Sequence, residues 1–404
     1  MEEGSVTWRS AAGSLLRHNV RFLCALGVWP PAAPAPRAFR ALTAALMALG
    51  AGHLLGAACS VYACSGDLQL LTLALSNAFP VFSGLAKAAL LVARHRRYSA
   101  LVGGVDALRA RQRGFCDADP QLAAALRETR RWSVKLTFLF YSSVLSAMVV
   151  WALMPLSVYP QVRVFPFQQL PWPNLTREPT YWFLYVHQCV ATFFFCSIDM
   201  NTDCFFATIM AHISMQFRVL ASRIAGLRLR ERTQKIKLCA ESEDVSTLHG
   251  DMYNEMCLCV DTHEELIRLV GLLESLMNPV AMLQFLVGAV SSCVVLFSAT
   301  YSPDSNSALK CWGSLPLLLT QLFLYCSGAQ HILDQSEAVA MAAYDCAWCD
   351  SSSKLKRALQ LVISRAQKPL ALTAGKLYAV KRAAFLSLIQ ATYSYYTLLQ
   401  NLDN

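Results

Sequence analysis

Long apolar runs constrain this chain more than any other feature of its sequence. Segments of 18 or more mostly apolar residues recur along its 404 residues, and such segments are long enough to cross a bilayer. Charged residues make up 15% of the chain, against about 25% in a soluble domain. Because too little polar surface is available to cover a fold in water, the chain is predicted to be a polytopic all-α membrane protein.

The apolar pattern predicts seven transmembrane helices. The last of them has 18 residues, or roughly 27 Å at 1.5 Å per residue, which is just enough for a bilayer core. In chain order the predicted segments are 39–62, 68–92, 134–158, 181–210, 267–299, 315–332 and 383–400.

The positive charges predict the orientation of these segments. Of the 35 Lys and Arg residues, 31 lie on one side of the membrane, counting segment ends, and three lie on the other; Lys87 lies inside the second segment. The positive-inside rule then predicts a cytoplasmic N-terminus and an extracellular C-terminus. The sequon at Asn174 falls in a loop that this topology places outside, where glycosylation can occur. The net charge of +9 is explained by cytoplasmic loops facing anionic lipid, and no nucleic-acid partner is expected.

Apolar stripes continue past the ends of the fourth, fifth and sixth segments. One stripe runs through Ile213, Phe217, Leu220, Ile224 and Leu227 at helical spacing. Such stripes must be buried, either against each other in a cytoplasmic helical bundle or flat on the lipid surface. We favour a bundle that serves as an assembly platform, because Ala and other small residues in the stripes suit helix packing.

The predicted regions follow from these segments. They are a cytoplasmic N-terminal segment (1–38), transmembrane helices 1–4 with the ligand-pocket region (39–210), cytoplasmic helical extensions (211–266), transmembrane helices 5 and 6 (267–332), cytoplasmic anchor helices (333–382) and a pore-lining helix (383–404).

Two C-terminal stretches carry a resemblance to a known family. The stretch "RAQKPLALTAGKLY", followed by "SYYTLLQ", resembles the C-terminal signature of insect odorant receptors, and "AVAMAAYDCAW" resembles the signature after their sixth helix. The inverted topology and the length near 400 residues agree with that family. The chain lacks the long insertion between the fourth and fifth helices that is typical of the olfactory co-receptor, so it resembles a ligand-specific subunit.

The resemblance implies a function that composition alone does not. It implies a weakly selective, ligand-gated cation channel in the plasma membrane of olfactory sensory neurons, formed as a heterotetramer with the insect olfactory co-receptor. Cytoplasmic anchors would join the subunits, the seventh helix would line the pore, and an odorant pocket would lie among helices 2, 3, 4 and 6. The anchor residues implied by the matching motifs are Tyr344, Trp348, Lys368 and Pro369.

Candidate pore and pocket residues follow from helical spacing read against this family pattern. On the last helix, small and polar residues give way to large apolar ones toward the outer end, which suits a wet conduit with a hydrophobic gate. The pore and gate candidates are Ser387, Ala391, Ser394, Leu398, Asn401 and Leu402. The pocket candidates are Phe79, Val144, Ala147, Trp151, His187, Phe194 and Tyr325. Few charges occur in the outer halves of the helices, so the ligand is expected to be a small neutral volatile, oriented by His187 or Tyr325.

Other functions are less consistent with the sequence. A gustatory-type or self-sufficient homomeric channel remains open, whereas a metabotropic receptor would require an extracellular N-terminus. A transporter would be expected to show internal repeats, and none is evident. Neither an HExxH motif nor a Gly-rich phosphate loop is present, so catalysis is not expected. The fifteen cysteines form no metal or redox framework, and no cofactor is predicted.

Overall fold

Helices account for nearly all of the described structure. The computed structural model describes residues 13–31, 34–158, 161–168, 172–241, 245–301, 305–346 and 352–403. Within these ranges a short 3-10 helix covers Pro173–Thr176. The α-helices are α1 (Arg17–Ala25), α2 (Arg37–Ala63), α3 (Leu68–Ala93), α4 (His95–Ala118), α5 (Pro120–Val158), α6 (Thr180–Glu241), α7 (Val245–Tyr301), α8 (Ser305–Tyr344), α9 (Ser353–Ala366) and α10 (Arg382–Asp403).

The seven predicted spans fall within α2, α3, α5, α6, α7, α8 and α10. Among the described residues, five helices are long and apolar enough to cross a membrane by length and composition, namely α2, α3, α5, α6 and α7. Helices α8 and α10 carry more polar residues along their length, including Gln321 in α8 and Gln390 in α10. The all-α transmembrane fold predicted from the sequence is therefore the fold observed.

Helix α6 is the centre of the bundle. The most apolar part of α6 is 83% buried, whereas the corresponding part of α2 or α5 is only 22% buried and faces outward. Helix α3 approaches α6 closely at Gly84, where an added Cβ would overlap the backbone carbonyl of Phe195. A glycine is needed at this crossing because any side chain would push the two helices apart.

The apolar stripes beyond the membrane pack against one another. We define the anchor bundle as residues 211–227 of α6, 252–266 of α7, 333–344 of α8, and α9. The predicted α6 stripe is buried, with Phe217, Leu220 and Ile224 fully inaccessible. It shares one continuous core with Val339 of α8 and Leu359 of α9. The apolar stripes are therefore buried against protein and do not lie flat on the lipid surface.

The Arg-rich connection between the second and third spans is helical, which the sequence analysis did not predict. Helix α4 occupies this connection, and α5 begins at Pro120, well before the predicted start of the third span. The inner face of α4 is apolar at spacings of three and four, with Tyr98, Leu101 and Val105 buried. The arginines of α4 lower the mean hydropathy of this segment, and for this reason its periodic apolar face was not recognised as a helix.

A two-stranded hairpin leads directly into α10. Its strands, β1 (Thr373–Ala374) and β2 (Tyr378–Ala379), are antiparallel and joined by a turn in which Gly375 and Lys376 have φ near +60°. Two side chains of α7 bind β1. Glu274 accepts a hydrogen bond from the Thr373 amide (2.8 Å), and Asn278 donates to the Thr373 hydroxyl (2.7 Å). The start of α10 is therefore fixed to α7 rather than suspended from a free linker.

Acid should loosen the anchor bundle through His263. This histidine of α7 is buried, with its ring 6.4 Å from that of Phe217, and burial together with the positive charge of Arg365 lowers its pKa to about 4. The unfolded chain has a His pKa of about 6.5 and binds the proton first. The stabilisation by neutral His263 is therefore complete above about pH 6.5 and is lost as the pH falls toward 4.

Thermal unfolding of the detergent-solubilised protein across this pH range tests the prediction. In His263→Gln, Tm should fall less steeply between pH 6.5 and 4 than in the wild type. His331→Gln, which alters an exposed histidine, should leave the slope unchanged. Equal slopes in the wild type and His263→Gln would contradict this assignment.

Candidate functional site

An elongated cavity lies in the membrane region, lined by residues of α3, α5, α6, α7 and α8. Its volume is about 110 Å³. On α8 the lining extends from Lys310 to Gln321, so at 1.5 Å per residue the cavity is roughly 16 Å long. Most of the wall is apolar, formed by aromatic, aliphatic and sulfur-containing side chains. A cavity with apolar walls and a few polar groups is the usual form of a small-molecule site.

Four of the predicted pocket residues line this cavity together. Val144, Ala147 and Trp151 share one face of α5, as their spacing of three and four requires, and Phe79 faces them from α3. Gln321 of α8 also lines the cavity. The structure therefore brings together residues that are far apart in sequence.

The other three predicted pocket residues lie away from this cavity. His187 is half-buried beside the ring of His53, at a centroid distance of 6.0 Å. Phe194 packs against the main apolar core on a different side of α6. Tyr325 is buried, and its hydroxyl donates a hydrogen bond to Asp203 (2.7 Å). Since α6 is covered on nearly every side, aromatic residues along it face several different neighbours, and only some of them face the cavity.

Helix α7 forms a wall of the cavity that was not predicted from the sequence. Gln284, Gly288 and Ser291 line it from one face of α7, at spacings of four and three. The available signal was Gln284, a polar residue within the apolar run "PVAMLQFLVGAV". Gly288 allows α8 to approach, because a Cβ there would lie 3.0 Å from the Leu322 side chain.

A charged network forms the floor of the cavity. The ammonium group of Lys87 on α3 lies 2.8 Å from an Asp199 oxygen and 2.5 Å from an Asp203 oxygen, both on α6. It also donates to Gln284 of α7 (2.7 Å), and Gln284 donates to Gln321 of α8 (3.2 Å). Gln321 in turn donates to the second Asp199 oxygen (3.0 Å). Four membrane helices are thus joined by one continuous set of polar contacts.

Two hydroxyl groups also donate to the carboxylates. The Ser83 hydroxyl donates to Asp199 (2.6 Å), and the Tyr325 hydroxyl donates to Asp203. Lys87 is fully buried and the two aspartates nearly so. Charged groups inside a membrane protein are costly unless paired and hydrogen-bonded, and here each of them has several partners. These contacts hold the floor of the cavity in one arrangement.

The predicted pore face of α10 is exposed on the single chain. Ser387, Ser394, Leu398 and Asn401 are exposed, and Ala391 is half-buried. The side chain of Leu402 lies outside the described residues. Helix α10 packs against α7 and α8 on its opposite side, where Phe385 meets Phe323 of α8 with ring centroids 5.5 Å apart.

The remaining predicted site residues lie in peripheral parts of the fold. Asn174 is within the short 3-10 helix between α5 and α6. Tyr344, at the end of α8, is exposed, as are Lys368 and Pro369 after α9. Trp348 lies outside the described residues. In the part of the chain that is described, no cluster of three or more His, Cys, Asp or Glu side chains could hold a metal ion.

Comparison with known proteins shows which family the chain resembles. The family model described as 7tm Odorant receptor matches residues 67–393. Odorant receptor Or2 of Anopheles gambiae is 27% identical over 352 residues, covering 85% of this chain and 88% of that protein. The odorant receptor coreceptor of Aedes aegypti is 28% identical over only 144 residues, covering 35% of this chain and 30% of that protein.

A solved structure has the same fold. The insect olfactory receptor OR5 from Machilis hrabei, in complex with eugenol, aligns with a TM-score of 0.77 over 96% of this chain and 97% of that chain, at 15% sequence identity.

Removal of the buried ammonium should prevent folding. Lys87→Met leaves Asp199 and Asp203 buried without their cation, at a cost of about 3–5 kcal/mol. We expect little monodisperse protein in size-exclusion chromatography. The triple variant Lys87→Met, Asp199→Asn, Asp203→Asn removes all three charges and should recover part of the yield. Lys135→Met, at an exposed lysine, serves as the control and should behave as wild type. Normal yield and Tm for Lys87→Met alone would refute a structural role for the network.

Proposed function

The chain belongs to the 7tm odorant receptor family, and on this premise we propose that it is the ligand-binding subunit of an odorant-gated, weakly selective cation channel. As an odorant receptor it is a chemosensory membrane protein and not an enzyme. The observation that carries the proposal is the cavity of about 110 Å³ among α3, α5, α6, α7 and α8.

The size and lining of the cavity favour a small neutral volatile. An engineered apolar protein cavity of about 150 Å³ binds benzene, so a cavity of comparable size suits one ring or a short chain. Burial of the ligand against Phe79, Val144 and Trp151 would contribute about 25 cal/mol per Å² of apolar surface. The charges at the floor favour a neutral ligand, since Lys87 and Asp199 are already paired with each other. That the structurally similar receptor was solved with eugenol supports an organic ligand of this kind.

The contact between α8 and α10 offers a route from the cavity to the pore. Helix α8 contributes Leu317, Leu318 and Gln321 to the cavity wall, and Phe323 on the same helix meets Phe385 of α10. A ligand that shifts α8 would therefore shift the pore helix. The hairpin that fixes the start of α10 to α7 would confine this movement to the part of α10 beyond the hairpin.

Assembly would convert the exposed face of α10 into a pore. Ser387, Ala391 and Ser394 would line its wetted part, and Leu398, Asn401 and Leu402 its outer end. A ring of leucines narrow enough to exclude water closes a pore by dewetting, and a small outward movement reopens it. With no ring of acids on this face, the pore would pass permeant cations with weak selectivity.

The proposed assembly is a heterotetramer with the insect olfactory co-receptor in the plasma membrane of olfactory sensory neurons. The similarity to coreceptors over 144 residues supports related assembly surfaces, and the exposed Tyr344, Lys368 and Pro369 would contribute to them. The charge distribution supports a cytoplasmic N-terminus, an extracellular C-terminus and an extracellular, glycosylated Asn174. Membrane lipid would surround the outward faces of α2 and α5.

Voltage-clamp recording from cells that express this chain tests the proposal. The chain would be expressed with and without an insect olfactory co-receptor and exposed to neutral volatiles while G-protein signalling is blocked. A volatile-evoked cation current only in the presence of the co-receptor is the expected result. A current from this chain alone would instead favour a homomeric channel. No current in either case, despite surface delivery and a broad panel, would refute the channel proposal.

Filling the cavity should weaken the response to the ligand. Ala147→Phe adds an aromatic ring to the cavity wall and should raise the half-maximal concentration of an agonist more than tenfold, because the ring occupies the space that the ligand needs. Leu145→Phe makes a similar change on the same helix at a residue that is 56% exposed and lies outside the cavity, so it should respond normally. Equal responses from the two variants, at equal surface expression, would exclude this cavity as the odorant site.

A smaller side chain at the proposed gate should increase the current in the absence of ligand. Leu398→Ala widens the proposed constriction and should increase the basal current several-fold without any volatile, because a wider and less apolar ring stays wet. Leu386→Ala removes a leucine of similar exposure on the same helix but off the proposed pore face. It should leave the basal current unchanged. A quiet Leu398→Ala channel that still responds to volatiles would place the gate elsewhere.

A further inference from the structure

The buried side chain of Thr192, in the cavity wall, has a hydroxyl without a hydrogen-bond partner among the described residues. Thr192 of α6 lines the cavity and is only 4% exposed, and its Oγ1 atom makes no hydrogen bond with any described residue. Threonines on membrane helices ordinarily donate to the carbonyl oxygen four residues earlier. Thr137 and Thr202 do so here, at 2.9 and 2.8 Å. A buried hydroxyl without a partner is costly, so its position in the wall of a cavity calls for an explanation.

The hydroxyl of Thr192 lies well above the charged floor. Thr192 precedes Asp199 by seven residues on α6, and Ser291 follows Gln284 by seven residues on α7. Asp199 and Gln284 both contact Lys87, and the two helices run in opposite directions. Thr192 and Ser291 therefore lie at one depth, roughly 10 Å from the floor at 1.5 Å per residue, on different walls of the cavity.

Polar groups of the lining at the floor and at the outer end already have hydrogen-bond partners. At the floor, Ser83 and Gln321 both donate to Asp199. Toward the outer end, Ser314 donates to the carbonyl of Cys311, and Asn77 donates to the carbonyl of Phe167. The unused hydrogen-bonding capacity is thus at the depth of Thr192, between the two ends and among apolar walls.

We propose that this cavity selects small neutral alcohols and phenols, whose hydroxyl group bonds Thr192 while the hydrocarbon part lies against the apolar walls. The inference rests on the proposed function and specifies its ligand class. A hydroxyl both donates and accepts, so it can pair with Thr192 on one wall and Ser291 on another. A hydrocarbon of equal size leaves Thr192 unpaired among apolar walls, and a site built in this way discriminates against it.

Dose–response curves for matched ligands test the inference on the channel formed with the co-receptor. Hexanol and heptane have the same number of heavy atoms, as do benzyl alcohol and ethylbenzene. In the wild type, each alcohol should activate at a concentration roughly tenfold below that of its hydrocarbon, which corresponds to one hydrogen bond. Thr192→Val, which keeps the shape of the side chain, should abolish that difference by weakening only the alcohol. Thr192→Ser should keep it.

The chain offers a matched control on the same helix. Thr208 is buried, and its Oγ1 also lacks a partner among the described residues, but it does not line the cavity. Thr208→Val should leave both ligands unaffected. Equal potency of alcohols and hydrocarbons on the wild type, or equal effects of Thr192→Val and Thr208→Val, would overturn the inference.

A binding measurement separates this inference from the proposed channel function. Hexanol should raise the Tm of the purified wild-type protein more than heptane does, and Thr192→Val should remove that difference. If the Tm difference depends on Thr192 while no volatile evokes a current, the preference for alcohols is supported and the channel proposal is refuted. If currents are evoked but neither Tm nor potency depends on the ligand hydroxyl, the ligand class is refuted and the channel proposal stands.

Discussion

The buried contact between Lys87 and the pair Asp199 and Asp203 is the interaction on which the membrane region depends. An ammonium group that cannot reach water must be surrounded by acceptors, and here these come from α6 and α7. Gln321 and Tyr325 extend the same set of contacts to α8. Apolar packing would allow the helices to slide or rotate at little cost, because lipid is as apolar as their side chains. The polar network removes that freedom and sets the floor of the cavity.

The cavity and the anchor bundle lie in different parts of the fold. In the anchor bundle, stripes from α6, α7, α8 and α9 form one apolar core. Glu274 and Asn278 fix the hairpin before α10 to α7. The outer part of α10 contacts the rest of the chain on one side only. In the proposed mechanism, a displacement of the outer part of α8 at the cavity would reach α10 through the contact between Phe323 and Phe385.

Helical spacing grouped residues that meet in the cavity where a helix has one buried face, and it grouped residues that lie apart where a helix has several. Val144, Ala147 and Trp151 were correctly grouped because α5 is largely outward-facing and presents a single inner face. On α6 the same reasoning placed His187 and Phe194 with them, although each meets a different neighbour. Tyr325 was expected to hold a ligand, but its hydroxyl is already bonded to Asp203, a partner that is 122 residues away in sequence.

The sequence by itself determined the all-α membrane class, the family, the approximate positions of the spans and the existence of the apolar stripes beyond the membrane. These properties depend on composition and on spacing within one helix, both of which are local. Only the tertiary structure decided that Lys87 pairs with two aspartates, that α7 supplies a wall of the cavity, and that Thr192 lines that cavity. Each of these depends on which faces of distant helices meet, and a periodic pattern in one helix carries no information about the face of another.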